Sequence, residues 1–246
     1  MPLLSYLSRL GALLGDALLP SSCVLCGALA REPVCPACTA AYVADGRSRC
    51  PQVRCTCCAN PVGSQDGGRR CGACLAAPPA FDATVAACDY AAPVDGLVLQ
   101  LKFGARLALA PWMARRLHAA VPAGALPDLL CPVPLGSRRL VERGYNQALE
   151  VARPLSAALG VPLAPRLLLR ARDTPAQSGV APGERRSNVR GAFALADDAP
   201  DLDGRHVGVV DDVMTSGHTL DELAGVLKRA GATRVTNLVF ARTPPH

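Results

Sequence analysis

Two groups of residues in this chain have the types and spacing for chemistry. The first is sulfur: the sequence holds 12 cysteines, and 10 of them fall between Cys23 and Cys74. Cys23/Cys26, Cys35/Cys38, Cys55/Cys58 and Cys71/Cys74 form four C-x2-C pairs. A C-x2-C turn brings two thiolates to adjacent corners of a tetrahedron, so two such knuckles complete a closed four-thiolate site. Sequential pairing joins Cys23 and Cys26 with Cys35 and Cys38, and Cys55 and Cys58 with Cys71 and Cys74. Such thiolates hold zinc or an iron–sulfur cluster, and paired closed knuckles follow the structural zinc pattern. A closed site has no open coordination position, so its role is expected to be structural. Cys50 and Cys57 are left without a partner, and Cys57 lies inside the third knuckle. Cys88 and Cys131 flank apolar runs and read as buried thiols.

The second group is Val207-Gly-Val-Val-Asp-Asp-Val-Met-Thr-Ser-Gly-His-Thr219. An apolar strand, read as His206–Val210, ends in Asp211 and Asp212, and the short loop of Thr215, Ser216, Gly217 and His218 leads into a helix. Free N–H groups and the dipole at a helix start favour an anion. Gly217 permits close approach, and the hydroxyls of Thr215, Ser216 and Thr219 add donors. Two adjacent acids repel each other and a phosphate. Their cost is understandable if they accept hydrogen bonds from vicinal sugar hydroxyls or face Mg2+. The segment therefore reads as a ribose 5-phosphate site. His218 is expected to be a loop or capping residue rather than a base. Thr219 and Glu222 predict a capping box, and Gly231 a helix end.

These residues need a scaffold. Short apolar runs alternate with helical patterns: Ala83–Tyr90, Val94–Phe103, Leu109–Ala120, Leu126–Val133, Tyr145–Leu159, Arg166–Leu169, His206–Val210, Thr219–Ala230 and Arg234–Ala241. Alternation of this kind predicts an α/β domain with a mostly parallel sheet. The expected division is a packing helix over 1–20, a double zinc ribbon over 21–77, and an α/β domain over 81–246. Leu3, Leu4, Leu7, Leu10, Leu14 and Leu18 mark one helix face, while Arg9 and Asp16 interrupt the segment, so it is read as packing rather than targeting. No stretch is long and apolar enough to span a membrane. Clustered metal-binding thiols fit a reducing compartment, so a cytoplasmic location is expected.

A mean hydropathy of +0.21 with 19% charged residues excludes a disordered or fibrous chain. Of the 26 basic residues only Lys102 and Lys228 are lysines, and the formal charge is +6. Arginine suits phosphate and polyanions, although a compositional bias would give the same excess. The polar stretch from Arg170 to Gly191 has the length of a lid; its arginines fit a nucleic-acid backbone as the alternative.

The Asp211–Thr219 segment resembles the 5-phosphoribosyl-1-pyrophosphate (PRPP) signature of type I phosphoribosyltransferases. Other pieces make the chain similar to the narrower ComF family, with its N-terminal double zinc ribbon: Leu18-Leu19-Pro20, Cys71-x2-Cys74-Leu75 leading to Pro79-Ala80-Phe81-Asp82, Leu101-Lys102-Phe103 and Pro132-Val133-Pro134-Leu135. Arg143-Gly144-Tyr145-Asn146-Gln147, Gln177, Glu184-Arg185, Asn188 and Gly191-Ala192-Phe193 complete the set. Ser216, His218 and Val180 depart from the usual residues.

The resemblance implies that Asp211 and Asp212 bind the ribose hydroxyls and that Thr215, Ser216, Gly217, His218 and Thr219 bind the 5-phosphate. It further implies that the loop with Val133 and Pro134 sits by the pyrophosphate. Arg143, with Arg138 and Arg139 near it, would neutralise that leaving group, and Mg2+ would accompany PRPP. The family's link to natural competence, DNA uptake and nucleotide metabolism makes single-stranded DNA and competence-machinery proteins the other expected partners. A non-catalytic accessory factor that binds single-stranded DNA or nucleotide is the alternative function.

Overall fold

The computed structural model describes residues 21–43, 53–63, 69–124, 126–171 and 191–244. The expected helix over 1–20, Cys50, and the polar stretch with Gln177, Val180, Glu184, Arg185 and Asn188 lie outside the described residues.

A small antiparallel pair opens the described chain: β1 (Ser21–Ser22) and β2 (Leu29–Ala30). Two short helices follow, α1 (Pro36–Tyr42) and α2 (Gly72–Ala76), each beginning immediately after a knuckle cysteine, Cys35 and Cys71. The body then alternates: β3 (Ala83–Asp89), α3 (Val94–Phe103), α4 (Leu109–Ala120), β4 (Leu129–Pro132), α5 (Ser137–Arg143), α6 (Gln147–Leu159), β5 (Leu168–Arg170), β6 (Phe193–Leu195), β7 (His206–Met214), α7 (His218–Arg229) and β8 (Arg234–Arg242). Strands β3, β8, β7 and β4 lie in that order in one sheet, and every pair is parallel.

Both faces of this sheet are covered, which is why its strands read as continuous apolar runs. The period of two splits each central strand between two cores. Val210, Leu238 and Phe240 join helices α3, α4 and α6 on one face, where Trp112 meets Phe240 edge-on at 5.8 Å. Val207, Val209, Val235 and Val239 join α7 and the β5–β6 pair on the other. The two cysteine modules divide in the same way. Cys23, Cys35 and Cys38 pack into the first core, whereas Cys55, Cys57, Cys58 and Cys74 pack into the second.

Three boundaries differ from expectation. Strand β7 runs on to Met214 because Val213 and Met214 keep pairing with Ala241 and Arg242 of β8, so both aspartates sit within the strand. The run ending at Leu169 is not in the parallel sheet: β5 pairs with β6 as a separate antiparallel ribbon. Helix α7 begins at His218 with Gly217 as its N-cap residue, so Thr219 does not occupy the position that a capping box requires. Glu222 Oε1 instead accepts the Gly191 N–H at 2.8 Å. At the other end Gly231, at φ +101°, turns the chain out of α7 as expected.

Candidate phosphosugar cleft and cysteine clusters

Strand β7 carries Asp211 and Asp212 to the carboxyl edge of the sheet. Asp211 Oδ1 accepts the Asp212 N–H at 2.9 Å, and Asp212 is 1% exposed. A buried carboxylate needs a counter-charge, and α3 supplies it: Lys102 Nζ stands 2.7 Å from Asp212 Oδ2. Burial, and then the neighbouring Asp212, push the Asp211 carboxyl well above the usual carboxylate range. Burial works against the charge on Lys102, but Asp212 and Asp211 outweigh it and raise its pKa.

Beyond Met214 the chain leaves the sheet and turns at Gly217 into α7. Gly217 has φ +83°, a backbone conformation that favours glycine, and a Cβ there would lie 2.6 Å from Met214 Cε, so the Met side chain would have to shift. Ser216 Oγ and His218 Nδ1 are 3.2 Å apart. Helix α7 has 12 residues, so its N-terminus carries a developed dipole.

Opposite this loop lies the segment from Val133 to Gln147. Gly144, at φ +80°, ends α5, and Asn146 starts α6 by accepting the N–H groups of Ala148 and Leu149 at 3.0 and 3.4 Å. The same Asn146 donates through Nδ2 to Val133 O at 3.0 Å, which fixes the Val133–Pro134 loop. Tyr145 donates its hydroxyl to Leu101 O, on the helix that carries Lys102. Arg143 donates to Gln147 Oε1 and stacks over the Phe103 ring, 5.2 Å from its centroid. Each residue of the Arg143–Gln147 run thus shapes one wall of the cleft.

The walls enclose about 630 Å3, lined among others by Asp211, Asp212, Thr215, Gly217, His218, Thr219, Val133, Pro134, Arg139 and Arg143. Two expected residues stand apart from the lining. Ser216 is exposed at the loop tip, and the exposed Arg138 pairs at 2.9 Å with Glu142, which itself lines the cleft. Lys102 and Gln147 also line the cleft; the sequence placed both in family motifs, Leu101-Lys102-Phe103 and Arg143–Gln147, without giving them a role.

The eight knuckle cysteines gather into two sets, Cys23, Cys26, Cys35 and Cys38, and Cys55, Cys58, Cys71 and Cys74. Within each set every sulfur lies within 4.8 Å of the others. Tetrahedral zinc with Zn–S bonds of about 2.3 Å has sulfur–sulfur edges of about 3.8 Å. Cys26 and Cys35 are 3.8 Å apart, and Cys58 and Cys71 are 3.6 Å apart, so the donor sets fit zinc. Burial opposes thiolate formation at Cys23 and Cys55, yet backbone N–H donors from Cys35 and from Cys58 and Cys71 outweigh it, lowering them to about 6 and about 7. Cys57 stands outside its cluster, fully buried, with its thiol directed at Phe81 O at 3.8 Å. Cys88 donates to Phe240 O at 3.2 Å, and burial pushes Cys131 up to about 12, so both are inert core thiols.

Residues 145–245 match the phosphoribosyl transferase domain. The chain is 36% identical over 233 residues to DNA utilization protein YhgH of Escherichia coli (strain K12), covering 91% of this chain and 98% of that one. It is 34% identical over 180 residues to competence protein F of Haemophilus influenzae, covering 71% and 79%. Among solved structures, a purine phosphoribosyltransferase from Pyrococcus horikoshii aligns over 55% of this chain and 72% of that one at 22% identity, with a TM-score of 0.32. The domain match, together with the four-stranded parallel sheet, identifies the α/β body as a type I phosphoribosyltransferase fold. Among the described residues no helix is long and apolar enough to cross a membrane.

Proposed function

Because the chain belongs to the ComF family, matching 98% of one curated relative and 79% of another, we propose that its cleft binds PRPP and that it acts as a phosphoribosyltransferase-like protein. The observation that carries this reading is the joining of three parts in one cleft: the Asp211–Asp212 pair, the Thr215–Thr219 loop at the start of α7, and the Val133–Pro134 loop held by Asn146. In this reading the two carboxylates accept hydrogen bonds from the ribose 2- and 3-hydroxyls. The backbone N–H groups of the loop and the Thr215 and Thr219 hydroxyls take the 5-phosphate. Arg143 and Arg139 face the pyrophosphate, whose departure leaves positive character on the sugar carbon and negative charge on the leaving group.

Asp211 and Asp212 offer the hard oxygens that Mg2+ prefers, and bound Mg2+ would add charge for the pyrophosphate. Lys102 holds Asp212 in a fixed orientation. Both four-cysteine clusters are assigned structural zinc, which supports a reducing, cytoplasmic setting. Calorimetric titration with PRPP and Mg2+ tests the reading. Micromolar binding is expected, with a loss of about a hundredfold or more in the Asp211→Asn/Asp212→Asn double variant; equal affinity would end the assignment.

The names of the curated relatives favour a second role in handling DNA. The stack of Arg143 on Phe103, a residue 73% exposed at the cleft rim, offers a surface for a base of single-stranded DNA. Oligonucleotide affinity that falls steeply with salt supports this role; no binding at low salt removes it.

A further inference from the structure

Arg242, at the last position of β8, is 5% exposed, and four backbone carbonyls accept hydrogen bonds from it. Its Nη1 reaches Met214 O at 3.0 Å, Thr243 O at 2.6 Å and also Thr215 O, while its Nε reaches Cys58 O at 2.9 Å. One guanidinium therefore holds the beginning of the phosphate loop and the third cysteine knuckle at once. Across a trans peptide the carbonyl and the following N–H point in opposite directions. Carbonyls of Met214 and Thr215 aimed at Arg242 thus turn the N–H groups of Thr215 and Ser216 away from it, the arrangement an anion-binding loop needs.

The contact is part of a larger seam. The Cys57 thiol is directed at Phe81 O, and the Phe81 ring lies 3.9 Å from where a Cβ on Gly217 would stand. Arg54, paired with Asp89 at 2.8 Å, donates to Ala59 O at 3.0 Å, tying the same knuckle to the end of β3. Ala80 N–H donates to Asp221 Oδ1 in the first turn of α7 at 2.7 Å. The first cysteine cluster has no comparable place: its buried cysteines pack into the core on the opposite face of the sheet. A zinc ion held by four thiolates carries a net charge of −2, which complements the buried guanidinium of Arg242 and the half-buried one of Arg54.

We propose that Arg242 is a positioning residue that locks the phosphate loop to the second four-cysteine cluster, so that metal held by Cys55, Cys58, Cys71 and Cys74 and anion held by the Thr215–Thr219 loop stabilise each other. The inference rests on the phosphoribosyl reading of the cleft. By reciprocity, whatever metal loading contributes to ligand binding, ligand binding contributes to metal retention. The first cluster is an internal control.

The test uses the full zinc-loaded chain and follows zinc release to a chromogenic chelator, with and without PRPP and Mg2+. PRPP is expected to slow the release of one of two zinc ions and leave the other unchanged. In Arg242→Gln the affinity for PRPP should fall about tenfold or more, and the remaining bound PRPP should no longer protect zinc. Arg242→Lys keeps the charge but has no fork to span loop and knuckle, so it should restore little of either effect. Wild-type protein that binds PRPP while both zinc ions leave at unchanged rates would overturn the coupling and leave the cleft assignment standing. Arg242→Gln with wild-type affinity and zinc protection would do the same. If that variant does not fold, the wild-type release experiment decides alone. Failure of the wild-type chain to bind PRPP overturns the cleft assignment, and the coupling with it.

Discussion

Replacing Lys102 by Met removes the ammonium paired with Asp212 while keeping the length and apolar stem of the side chain. At 2.7 Å, the attraction is about 6 kcal/mol for an effective dielectric constant of about 20. That figure is gross, because both charges also lose hydration. Breaking a buried pair by removing one partner costs about 3–5 kcal/mol, and Lys102 keeps a side-chain exposure of 25%, which points to the lower end. A loss of about 3 kcal/mol lowers Tm by about 6–12 °C in a chain of this size. Thermal melts of wild type, Lys102→Met, Asp212→Asn and the double variant measure it. The double variant should recover most of the loss, since it no longer leaves a carboxylate stranded. A Lys102→Met protein melting within about 2 °C of wild type, or a double variant as unstable as the two single losses summed, would refute the pairing as the reason Asp212 tolerates burial.

Asp211 gives a pH signature. Its pKa is raised by burial and by Asp212, so the folded chain holds that proton more tightly than the unfolded one. Its stabilising effect is full below the ordinary value of about 3.9 and is lost as pH rises toward the raised folded value. Asp211→Asn should therefore raise Tm at pH 7.5, with the gap closing toward pH 4, and weaken PRPP binding about a hundredfold; melts at both pH values and titration check both parts. Gly217→Ala forces φ +83° on a side chain and sets its Cβ 2.6 Å from Met214 Cε. A stability loss of about 1–3 kcal/mol and at least tenfold weaker phosphate-ligand binding are expected from denaturant curves and titration. Native mass spectrometry should find two zinc ions in wild type and in Cys57→Ser, but one in Cys55→Ser, because Cys55 belongs to the four-sulfur set and Cys57 does not; one ion in Cys57→Ser would contradict that assignment.

The parts legible in the sequence share a local cause. The helices Val94–Phe103 and Leu109–Ala120 and the knuckle spacing are written in periods shorter than ten residues, and they fold as read. The extent of β7 was not legible in that way. Asp211 and Asp212 look like a strand end by polarity, yet pairing of Val213 and Met214 with β8 carries the strand past them. The capping box failed for a similar reason: Gly217 takes the cap position, and Glu222 finds a partner in Gly191, 31 residues away. Lys102 and Arg242 act on Asp212 and on the loop carbonyls across 110 and 27 residues, separations at which no sequence period reports contact.

Both lysines of the chain meet a carboxylate. Lys102 meets Asp212, and Lys228 meets Asp82 at 2.7 Å while donating to Thr233 O. In both places a compact ammonium faces one principal carboxylate oxygen. Two arginines instead span several acceptors or a ring: Arg242 reaches four carbonyls and Arg143 lies over Phe103. Lysine and arginine are not interchangeable at Lys102. A guanidinium that close to Asp212 would extend its second nitrogen into the cleft beside Asp211, where the proposed ligand would bind. Lys102→Arg should therefore keep Tm within about 3 °C of wild type, since the charge pair survives, but weaken PRPP binding about tenfold or more. Parallel melts and titrations separate the two effects. Full binding in Lys102→Arg would mean that Asp212 needs only a positive charge nearby, whereas loss of stability without loss of binding would mean that Lys102 serves the fold and not the site.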